Sequence, residues 1–407
     1  PLVILTLTVD PAVVVLGGRR VSALLLAGGS VVHLDRIEPA DVLIDGGVVV
    51  ALGPRLDAPD GTPTLDVSGL LVAPGFIDLQ INGALGIDLA DEPERLWEVG
   101  AALSRYGVTG FLPTIITSPP GTPERAMAAL ADRPTGFAGA EPLGLHLEGP
   151  MLNPVRRGAH DPTLLRPPSL GLVEGWTRAG GVALVTLAPE LPGGLAVVQQ
   201  LVASGVVVSA GHTAATTGEL ERAVAAGLSY VTHLFNAMVP FGHRDPGPIG
   251  LALADGRLTA GLIADGIHVH PVSVAAAWRA LRPARLSLVT DAVAALGRPP
   301  GRFPLGGRTV TLGDDGVRLE DGTLAGSALA LDEAVRNLIA FTGCSPAESI
   351  ATVTATPARL LGLSRKGSVA PGFDADLTLL TADLHVATTV VGGREVRPAP
   401  EVAAWRS

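Results

Sequence analysis

The chain contains very little cysteine and very little lysine. Cys344 is the only cysteine among 407 residues, so an intrachain disulfide is excluded. A reducing compartment is therefore expected, and we predict a cytoplasmic protein. Lysine is equally scarce: Lys366 is the only lysine, and all other Lys or Arg positions are arginine. Any site that requires a lysine therefore has a single candidate.

Charge is also sparse, and its balance is negative. Charged residues make up 17% of the chain, and the formal net charge is -10. This balance argues against general binding to nucleic acid or to anionic membranes, so neither is expected as a partner. A locally basic site for an anionic substrate remains compatible with it.

No apolar run has the length of a membrane span. The run from Leu2 to Leu16 is interrupted by Asp10 and Pro11, and it lacks the basic start of a signal peptide. We interpret residues 1–20 as an extension of uncertain role. With hydrophobic residues at 47%, the remaining chain is long enough to bury a large core, as a globular enzyme does.

Short apolar runs alternate with helical patterns between residues 73 and 364. This alternation predicts an α/β fold, a (β/α)8 TIM-type barrel that carries the catalytic site. An inserted β-hairpin is predicted from Arg308–Leu312 and Gly316–Leu319. The predicted barrel strands are Phe76–Gln80, Val108–Ile116, Leu143–Glu148, Val182–Leu187, Val206–Ala210, Tyr230–His233, Thr259–Ile263 and Leu286–Asp291.

Both ends of the chain have a different sequence pattern from the middle. Short β-type runs separated by Gly-Gly, Pro and Gly-Pro turns fill residues 21–71 and recur from residue 367 to 397. We therefore predict one small discontinuous β-sandwich domain built from residues 1–72 and 365–407.

Four predicted barrel strands end in side chains that suit metal chemistry. Glu148, His212 and His233 supply one carboxylate and two imidazoles from three strand ends, and Asp291 ends the last strand. A catalytic zinc site uses three protein ligands and an open position for water. Asp291 is placed to take a proton from that water. A single histidine at a strand end is usually structural, but four such endings together favour a metal site.

The remaining histidines named here are weaker candidates for the metal site. Seven of the nine histidines lie between residues 146 and 270. His146 is interpreted as a buried, hydrogen-bonded side chain, and His33 and His385, which fall in the β-rich ends, as structural or exposed.

A set of motifs is spread along residues 21–397. The motifs are Pro74-Gly-Phe-Ile-Asp78 with Asn82-Gly83, His146-Leu-Glu-Gly-Pro150, Gly158-Ala-His160, Gly211-His-Thr213, His233-Leu-Phe-Asn-Ala-Met238, Arg244-Asp-Pro-Gly247, Ala264-Asp-Gly-Ile-His268, Thr290-Asp-Ala292 and Ala325-Gly-Ser327. The most specific is the His-Leu-Phe-Asn-Ala-Met motif with the spaced Arg-Asp-Pro-Gly. Together the motifs resemble the N-acetylglucosamine-6-phosphate deacetylase family of the amidohydrolase superfamily.

This resemblance implies that the protein acts in amino-sugar catabolism and recycling. It also implies roles for individual residues. Asp291 matches the general base that becomes the acid for the amine, and His160 matches the residue that contacts the scissile acetamide. The implied metal ligands are Glu148, His212 and His233. The implied phosphate contacts are Asn236, the backbone N–H of Ala237, Arg244 and His268. The resemblance also implies a homodimer whose subunits share the phosphate site.

The sequence departs from many superfamily members where a second metal would bind. Gln80 and Asn82 stand in place of two histidines, and amides are poor ligands beside imidazole. A bridging lysine is also missing from the barrel motifs. We therefore expect one divalent metal ion per chain, Zn²⁺. Gln80 is expected to touch the metal weakly at most, and Asp78 to orient a ligand histidine.

Three alternatives stay open on the sequence alone. Within the superfamily, the chain could act on the galactosamine epimer, or it could be a deaminase or cyclic-amide hydrolase with no need for a phosphate site. Outside enzymes, it could be a scaffold that kept the barrel and lost catalysis. Such a scaffold would be expected to have lost ligands, yet Glu148, His212, His233 and Asp291 are all present.

Overall fold

The computed structural model describes residues 23–396. The predicted extension at residues 1–20 and the tail from residue 397 onward lie outside the described residues. Within the described range, no helix combines the length and the apolar character needed to cross a membrane.

Eight parallel strands form a barrel, and neighbouring strands pair in chain order. Several are buried along their whole length, which is expected for barrel strands covered on both faces. The strands are β1 (Phe76–Ile81), β2 (Val108–Ile116), β3 (Leu145–Glu148), β4 (Val182–Leu187), β5 (Val207–Ala210), β6 (Tyr230–Val231), β7 (Thr259–Leu262) and β8 (Leu286–Leu288).

The barrel closes through the residues that follow β8 rather than through β8 itself. The Asp291 N–H donates to the Gln80 carbonyl at 3.0 Å, and the Asn82 N–H donates to the Ala292 carbonyl at 2.7 Å. These bonds bring the first and last strands of the barrel together at its C-terminal mouth. The predicted TIM-type barrel is confirmed.

Helices surround the barrel, and β3 and β4 are joined without an α-helix. The 3₁₀ turns are Pro93–Arg95, Ser104–Tyr106, Pro154–Arg156 and Leu170–Val173. The α-helices are α1 (Leu96–Leu103), α2 (Thr122–Ala131), α3 (Gly194–Ala203), α4 (Thr217–Ala225), α5 (Gly247–Ala254), α6 (Pro271–Arg285), α7 (Leu331–Thr342), α8 (Pro346–Ala351) and α9 (Ala355–Leu360).

Two further sheets lie beside the barrel and fit a small separate domain. In spatial order, one contains Val48–Gly53, Asp41–Asp45, Ala23–Ala27 and Thr64–Asp66. The other contains Arg394–Val396, Val386–Val391, Leu377–Leu380, Leu71–Pro74, Ser30–Val32 and Ile37–Pro39.

The second of these sheets joins strands from both ends of the chain. Leu377 pairs with Pro74 and Leu380 pairs with Leu71 in antiparallel register. The two sheets enclose their own core, which includes Leu26, Ile44 and Leu379. The predicted domain limits at residues 72 and 365 stay a prediction, since the strand Leu71–Pro74 continues across residue 72.

An inserted three-stranded sheet covers part of the barrel mouth. It contains Gly301–Leu305, Arg308–Gly313 and Gly316–Arg318, so the prediction of a two-stranded hairpin was incomplete. The strand that the prediction missed holds Pro304, which has no N–H and is tolerated because this strand lies at the sheet edge. Leu305 packs in one apolar cluster with Ile116 and Val293 from the barrel mouth. A two-stranded ribbon, Gly83–Ala84 with Ile87–Asp88, follows β1.

Candidate metal centre and active site

A cavity of about 250 Å³ opens at the C-terminal ends of the barrel strands. This is the end at which TIM barrels carry their chemistry. Predicted site residues that line it are Asn236, Ala237, Glu148, His160, His212, His233, His268 and Asp291.

Three of the lining side chains converge on one point. The Glu148 Oε1 atom lies 3.1 Å from His212 Nε2 and 3.0 Å from His233 Nε2, and the two Nε2 atoms are 3.2 Å apart. All three residues are buried. Glu148 is the last residue of β3, whereas each histidine lies two residues beyond the end of its strand, β5 or β6. The cluster can hold a metal ion, and it is the group expected from the sequence.

The geometry and the tautomer of His212 fit a divalent ion. Ligands of a tetrahedral zinc at 2.0–2.1 Å lie about 3.3 Å from each other, close to the observed separations. The Nδ1 of His212 donates to the Arg156 carbonyl at 2.9 Å, which leaves a lone pair on Nε2. Burial alone would raise the pKa of Glu148, but hydrogen bonds and charge from the two imidazoles lower it well below its ordinary value. The carboxylate is therefore ionised, as a ligand must be.

Left-handed backbone conformations are concentrated at this site. The φ angles are 48° at His212, 30° at His233, 50° at Ala237 and 51° at Asp291. Residues other than glycine adopt this region at an energetic cost of roughly 1–3 kcal/mol, and they do so most often at functional sites. The strand ends thus turn sharply and aim their side chains into the cavity.

Asp291 is fixed by two amides from the first barrel strand. The Gln80 Nε2 donates to Asp291 Oδ1 at 3.0 Å and the Asn82 Nδ2 donates to the same oxygen at 2.6 Å. Gln80 Nε2 also lies 3.2 Å from Glu148 Oε2. Burial, followed by the charge of Glu148, raises the pKa of Asp291 to about 6. Gln80 thus links Glu148 to Asp291, whereas the Asn82 amide contacts Asp291 alone.

The expectation that Asp78 orients a ligand histidine was wrong. Its Oδ2 accepts a hydrogen bond from the Thr290 hydroxyl at 2.7 Å, and its Oδ1 accepts from the Gln80 N–H at 3.1 Å. Asp78 points to the same side of β1 as Gln80 but two residues deeper in the barrel. It therefore meets the residue before Asp291 rather than the histidines at the mouth.

His160 lies against the proposed metal ligands without contacting Glu148. Its ring centroid is 4.4 Å from that of His212, with the ring planes 72° apart. Its Nδ1 contacts the Thr117 hydroxyl at 2.8 Å. Burial, followed by the charge of His212, lowers the pKa of His160 to about 3, so the imidazole is neutral.

The predicted phosphate contacts separate into two groups. Asn236, Ala237 and His268 line the cavity, and the Ala237 N–H donates to no residue in the range 23–396. The Nδ1 of His268 donates to Asp265 at 2.6 Å. Arg244 is exposed in the loop before α5 and is not among the described residues that line the cavity. Within one chain, the structure does not bring Arg244 to the site.

One structurally important carboxylate escaped the sequence analysis. Glu190 accepts from the Thr213 hydroxyl at 2.6 Å, from the Ala214 N–H at 2.7 Å and from Asn153 Nδ2 at 3.0 Å. It therefore holds the loop that carries His212. Glu190 follows β4 by three residues, which is the same spacing that Asp291 has after β8, so extending the strand-end rule to β4 would have found it.

The interpretation of His146 as a buried structural residue is confirmed. Its Nδ1 faces the Leu79 carbonyl at 3.1 Å and its Nε2 faces the Thr186 hydroxyl at 2.7 Å. Thr186 continues through Thr232 at 2.7 Å to Ser209 at 2.6 Å. This hydrogen-bonded chain fills the barrel below the metal centre.

Comparison with known proteins gives a consistent result. Residues 71–396 match the model of the amidohydrolase family. N-acetylglucosamine-6-phosphate deacetylase of Danio rerio is 41% identical over 347 residues, 82% of this chain and 86% of that protein. The Bacillus subtilis protein of the same name is 39% identical over 331 residues, 79% and 84% of the two chains.

Solved structures agree with the sequence relatives. The crystal structure of N-acetylglucosamine-6-phosphate deacetylase from Pasteurella multocida has a TM-score of 0.86 at 30% identity, and the match covers 92% of this chain and 99% of that one. A mutant deacetylase from Mycobacterium smegmatis, in complex with N-acetyl-D-glucosamine-6-phosphate, has a TM-score of 0.84 at 33% identity with the same coverage. The chain belongs to the amidohydrolase family, among members named N-acetylglucosamine-6-phosphate deacetylase.

Proposed function

We propose that this chain hydrolyses the acetamide of N-acetylglucosamine 6-phosphate to glucosamine 6-phosphate and acetate. The observation that carries the proposal is the placement of a Glu–His–His cluster, Asp291 and His268 around one cavity, in a chain whose relatives carry the name of this activity. The name of the Mycobacterium smegmatis complex supplies the substrate. A metal-dependent amide hydrolase of a phosphorylated sugar needs all of these parts.

Glu148, His212 and His233 would hold the metal ion, which when bound polarises the scissile carbonyl and makes water more acidic. Asp291 Oδ1 is occupied by the amides of Gln80 and Asn82, and no residue in the described range donates to Oδ2. Oδ2 is therefore the oxygen that takes the proton from the attacking water and later gives it to the leaving amine.

Negative charge that develops on the carbonyl oxygen of the substrate requires a hydrogen-bond donor close to that oxygen. His160 lines the cavity beside His212 and is neutral. A neutral imidazole carries one N–H, which it can donate to that oxygen. Donors of this kind are most effective when they are fixed before the charge appears.

The phosphate group would be bound at the other end of the cavity. The Ala237 N–H is available within the described chain, and the φ of 50° at Ala237 turns this peptide away from helix or strand pairing. Asn236 and His268 also line the cavity. Backbone and side-chain donors together form the usual setting for a phosphomonoester.

We propose a homodimer in which the partner subunit supplies Arg244 to the phosphate. Arg244 is exposed outside its own cavity, and Phe241 in the same loop has 57% of its surface exposed. An exposed aromatic next to an exposed arginine is typical of an interface, where both residue types are enriched. A guanidinium from the partner would complete a bidentate contact that one chain lacks.

The metal proposed is a single Zn²⁺ per chain. Two imidazoles and one carboxylate suit zinc. A lysine bridge to a second metal is disfavoured, because Lys366 contacts Asp376 and lies 3.2 Å from Asp374 in an ion-pair cluster away from the cavity lining.

The proposed compartment is the cytoplasm, since the single cysteine, Cys344, is buried and unpaired.

The function is tested by acetate release from N-acetylglucosamine 6-phosphate, beside the unphosphorylated sugar and the galactosamine 6-phosphate epimer. Arg244→Ala should lower the ratio of kcat/KM for the phosphorylated over the plain sugar, whereas Arg257→Ala, an exposed arginine paired with Asp255, should not. Absence of acetate from any phosphorylated sugar would refute the function. An unchanged ratio would remove Arg244 from the phosphate site.

Sharing of sites between subunits has a separate test. Mixing Arg244→Ala protein with Asp291→Asn protein under exchanging conditions should restore some activity, because one of the two sites in a mixed dimer then keeps both intact residues. No recovery after verified subunit exchange would mean that each chain closes its own site.

A further inference from the structure

A buried hydroxyl next to His160, outside the cavity lining, has no role assigned by the sequence analysis. Thr117 directly follows β2 and is buried, with 2% of its surface exposed. Its backbone N–H donates to His160 Nδ1 at 3.3 Å, and its Oγ1 lies 2.8 Å from the same nitrogen. Two atoms of one residue thus contact one nitrogen of the proposed oxyanion donor.

We propose that Thr117 is a positioning residue that fixes the proton of His160 on Nε2. The inference rests on the proposed function, because it assigns the donor that meets the acetamide carbonyl. A backbone N–H can only donate, so Nδ1 of His160 must accept. Because Nδ1 accepts, it carries no proton, and the N–H of the ring is on Nε2.

The other nitrogen of the ring has no partner among the described residues. Nε2 of His160 makes no hydrogen bond with residues 23–396, while the ring lines the cavity against His212. The same proton on Nδ1 would oppose the Thr117 N–H and leave Nε2 without a hydrogen to donate. Thr117 therefore decides whether His160 presents a donor or an acceptor to the substrate.

The surroundings hold both partners in place. A Cβ on Gly149 would lie 2.4 Å from the Thr117 hydroxyl, so glycine at this position leaves room for that oxygen. Arg308 from the inserted sheet donates to the Ala159 carbonyl at 2.9 Å and fixes the backbone next to His160. The ring is thus held from its Nδ1 side and from its main chain.

The first test is kinetic and uses the metal-loaded protein. Thr117→Val keeps the shape of the side chain but removes the hydroxyl, which leaves only the longer backbone bond. Losing one oxyanion donor typically lowers kcat by 10²–10³, so loosening it should lower kcat about tenfold or more with little change in KM. Thr117→Ser should restore kcat. A Thr117→Val variant within twofold of the parent, or a failure of serine to restore activity, would overturn the proposal.

Two further measurements separate positioning from general damage. In a His160→Gln background, Thr117→Val should have no additional effect on kcat, because Thr117 acts through the ring; an undiminished additional loss would refute this. Thr114→Val serves as a matched control, since Thr114 contacts the buried His146 at 3.4 Å on the same strand. An equal loss of kcat in that variant would indicate strand damage.

The tautomer is observable without substrate. In protein labelled with ¹⁵N-histidine, His160 should show a protonated Nε2 and an unprotonated Nδ1, assigned by their loss in His160→Gln. Thr117→Val keeps the backbone N–H that donates to Nδ1 and should therefore keep this tautomer, so that its loss of kcat reflects a looser position of the ring. A proton on Nδ1 in the parent would overturn the proposal even if deacetylation is confirmed, and absence of deacetylation would leave this readout intact.

Discussion

The role of Asp291 can be tested by a change that preserves its contacts. Asp291→Asn keeps an oxygen that can accept from Gln80 and Asn82, which now bind at 3.0 Å and 2.6 Å. The new amide nitrogen takes the place of Oδ2, the oxygen proposed to carry the proton. The variant therefore loses the proton acceptor while the side chain keeps its position.

The size of the effect follows from that single loss. Removing a general acid–base group lowers the rate by about 10²–10⁴, which corresponds to roughly 2.7–5.5 kcal/mol in the activation free energy. Metal content should remain at the parent level, because Glu148, His212 and His233 are unchanged. KM should change little, since Asp291 does not bind the phosphate.

The assay is acetate release at saturating substrate, with metal content measured on the same sample. Asp78→Asn is the matched control: Asp78 is also a buried barrel carboxylate, burial raises its pKa to about 7, and it contacts Thr290 instead of the reaction site. That control should lose far less activity. A kcat for Asp291→Asn within threefold of the parent would exclude proton transfer by Asp291.

Two further predictions concern the metal and the inserted sheet. Dialysed protein should retain about one Zn²⁺ per chain by elemental analysis, and Gln80→His with Asn82→His should raise that number; two tightly held ions in the parent would contradict the ligand assignment. Asp88 accepts from the Gly306 N–H at 2.5 Å, and burial raises its pKa to about 7. The folded state therefore favours protonated Asp88, and this stabilisation is lost as pH rises from the unfolded pKa near 4 to about 7. Asp88→Asn should therefore gain more stability over the parent at pH 8 than at pH 5.5 in urea unfolding; an equal difference at both pH values would refute the assignment.

The strand-end pattern carried most of the sequence-based prediction. Glu148, His212 and His233 follow apolar runs at the same end of a parallel barrel, so any correct assignment of the strands brings them together. The runs were slightly too long: β6 ends at Val231, two residues before His233. The error did not matter, because the left-handed turn at His233 keeps its side chain in the mouth.

What the sequence could not predict depends on depth and on neighbours far apart in the chain. Asp78 and Gln80 share one face of β1, but only the structure shows that Asp78 contacts Thr290 whereas Gln80 reaches Glu148 and Asp291. Thr117 and His160 are 43 positions apart and meet through a single nitrogen. Arg244 belongs to one of the motifs that resemble the family, yet the fold of one chain leaves it outside the cavity. Depth and long-range contacts leave little trace in local patterns.

The sheet shared by both ends of the chain has a consequence for biosynthesis. The strand Leu71–Pro74 pairs with Leu377–Leu380, which the ribosome adds about 300 residues later. At typical synthesis rates, this interval lasts roughly 15–60 s. During that time, one edge of the strand Leu71–Pro74 has no partner while the barrel is being made, and unpaired edges invite association with other chains. Production of the protein should therefore respond to translation speed and to chaperones, and a chain interrupted before Leu377 should aggregate even if its barrel residues are complete.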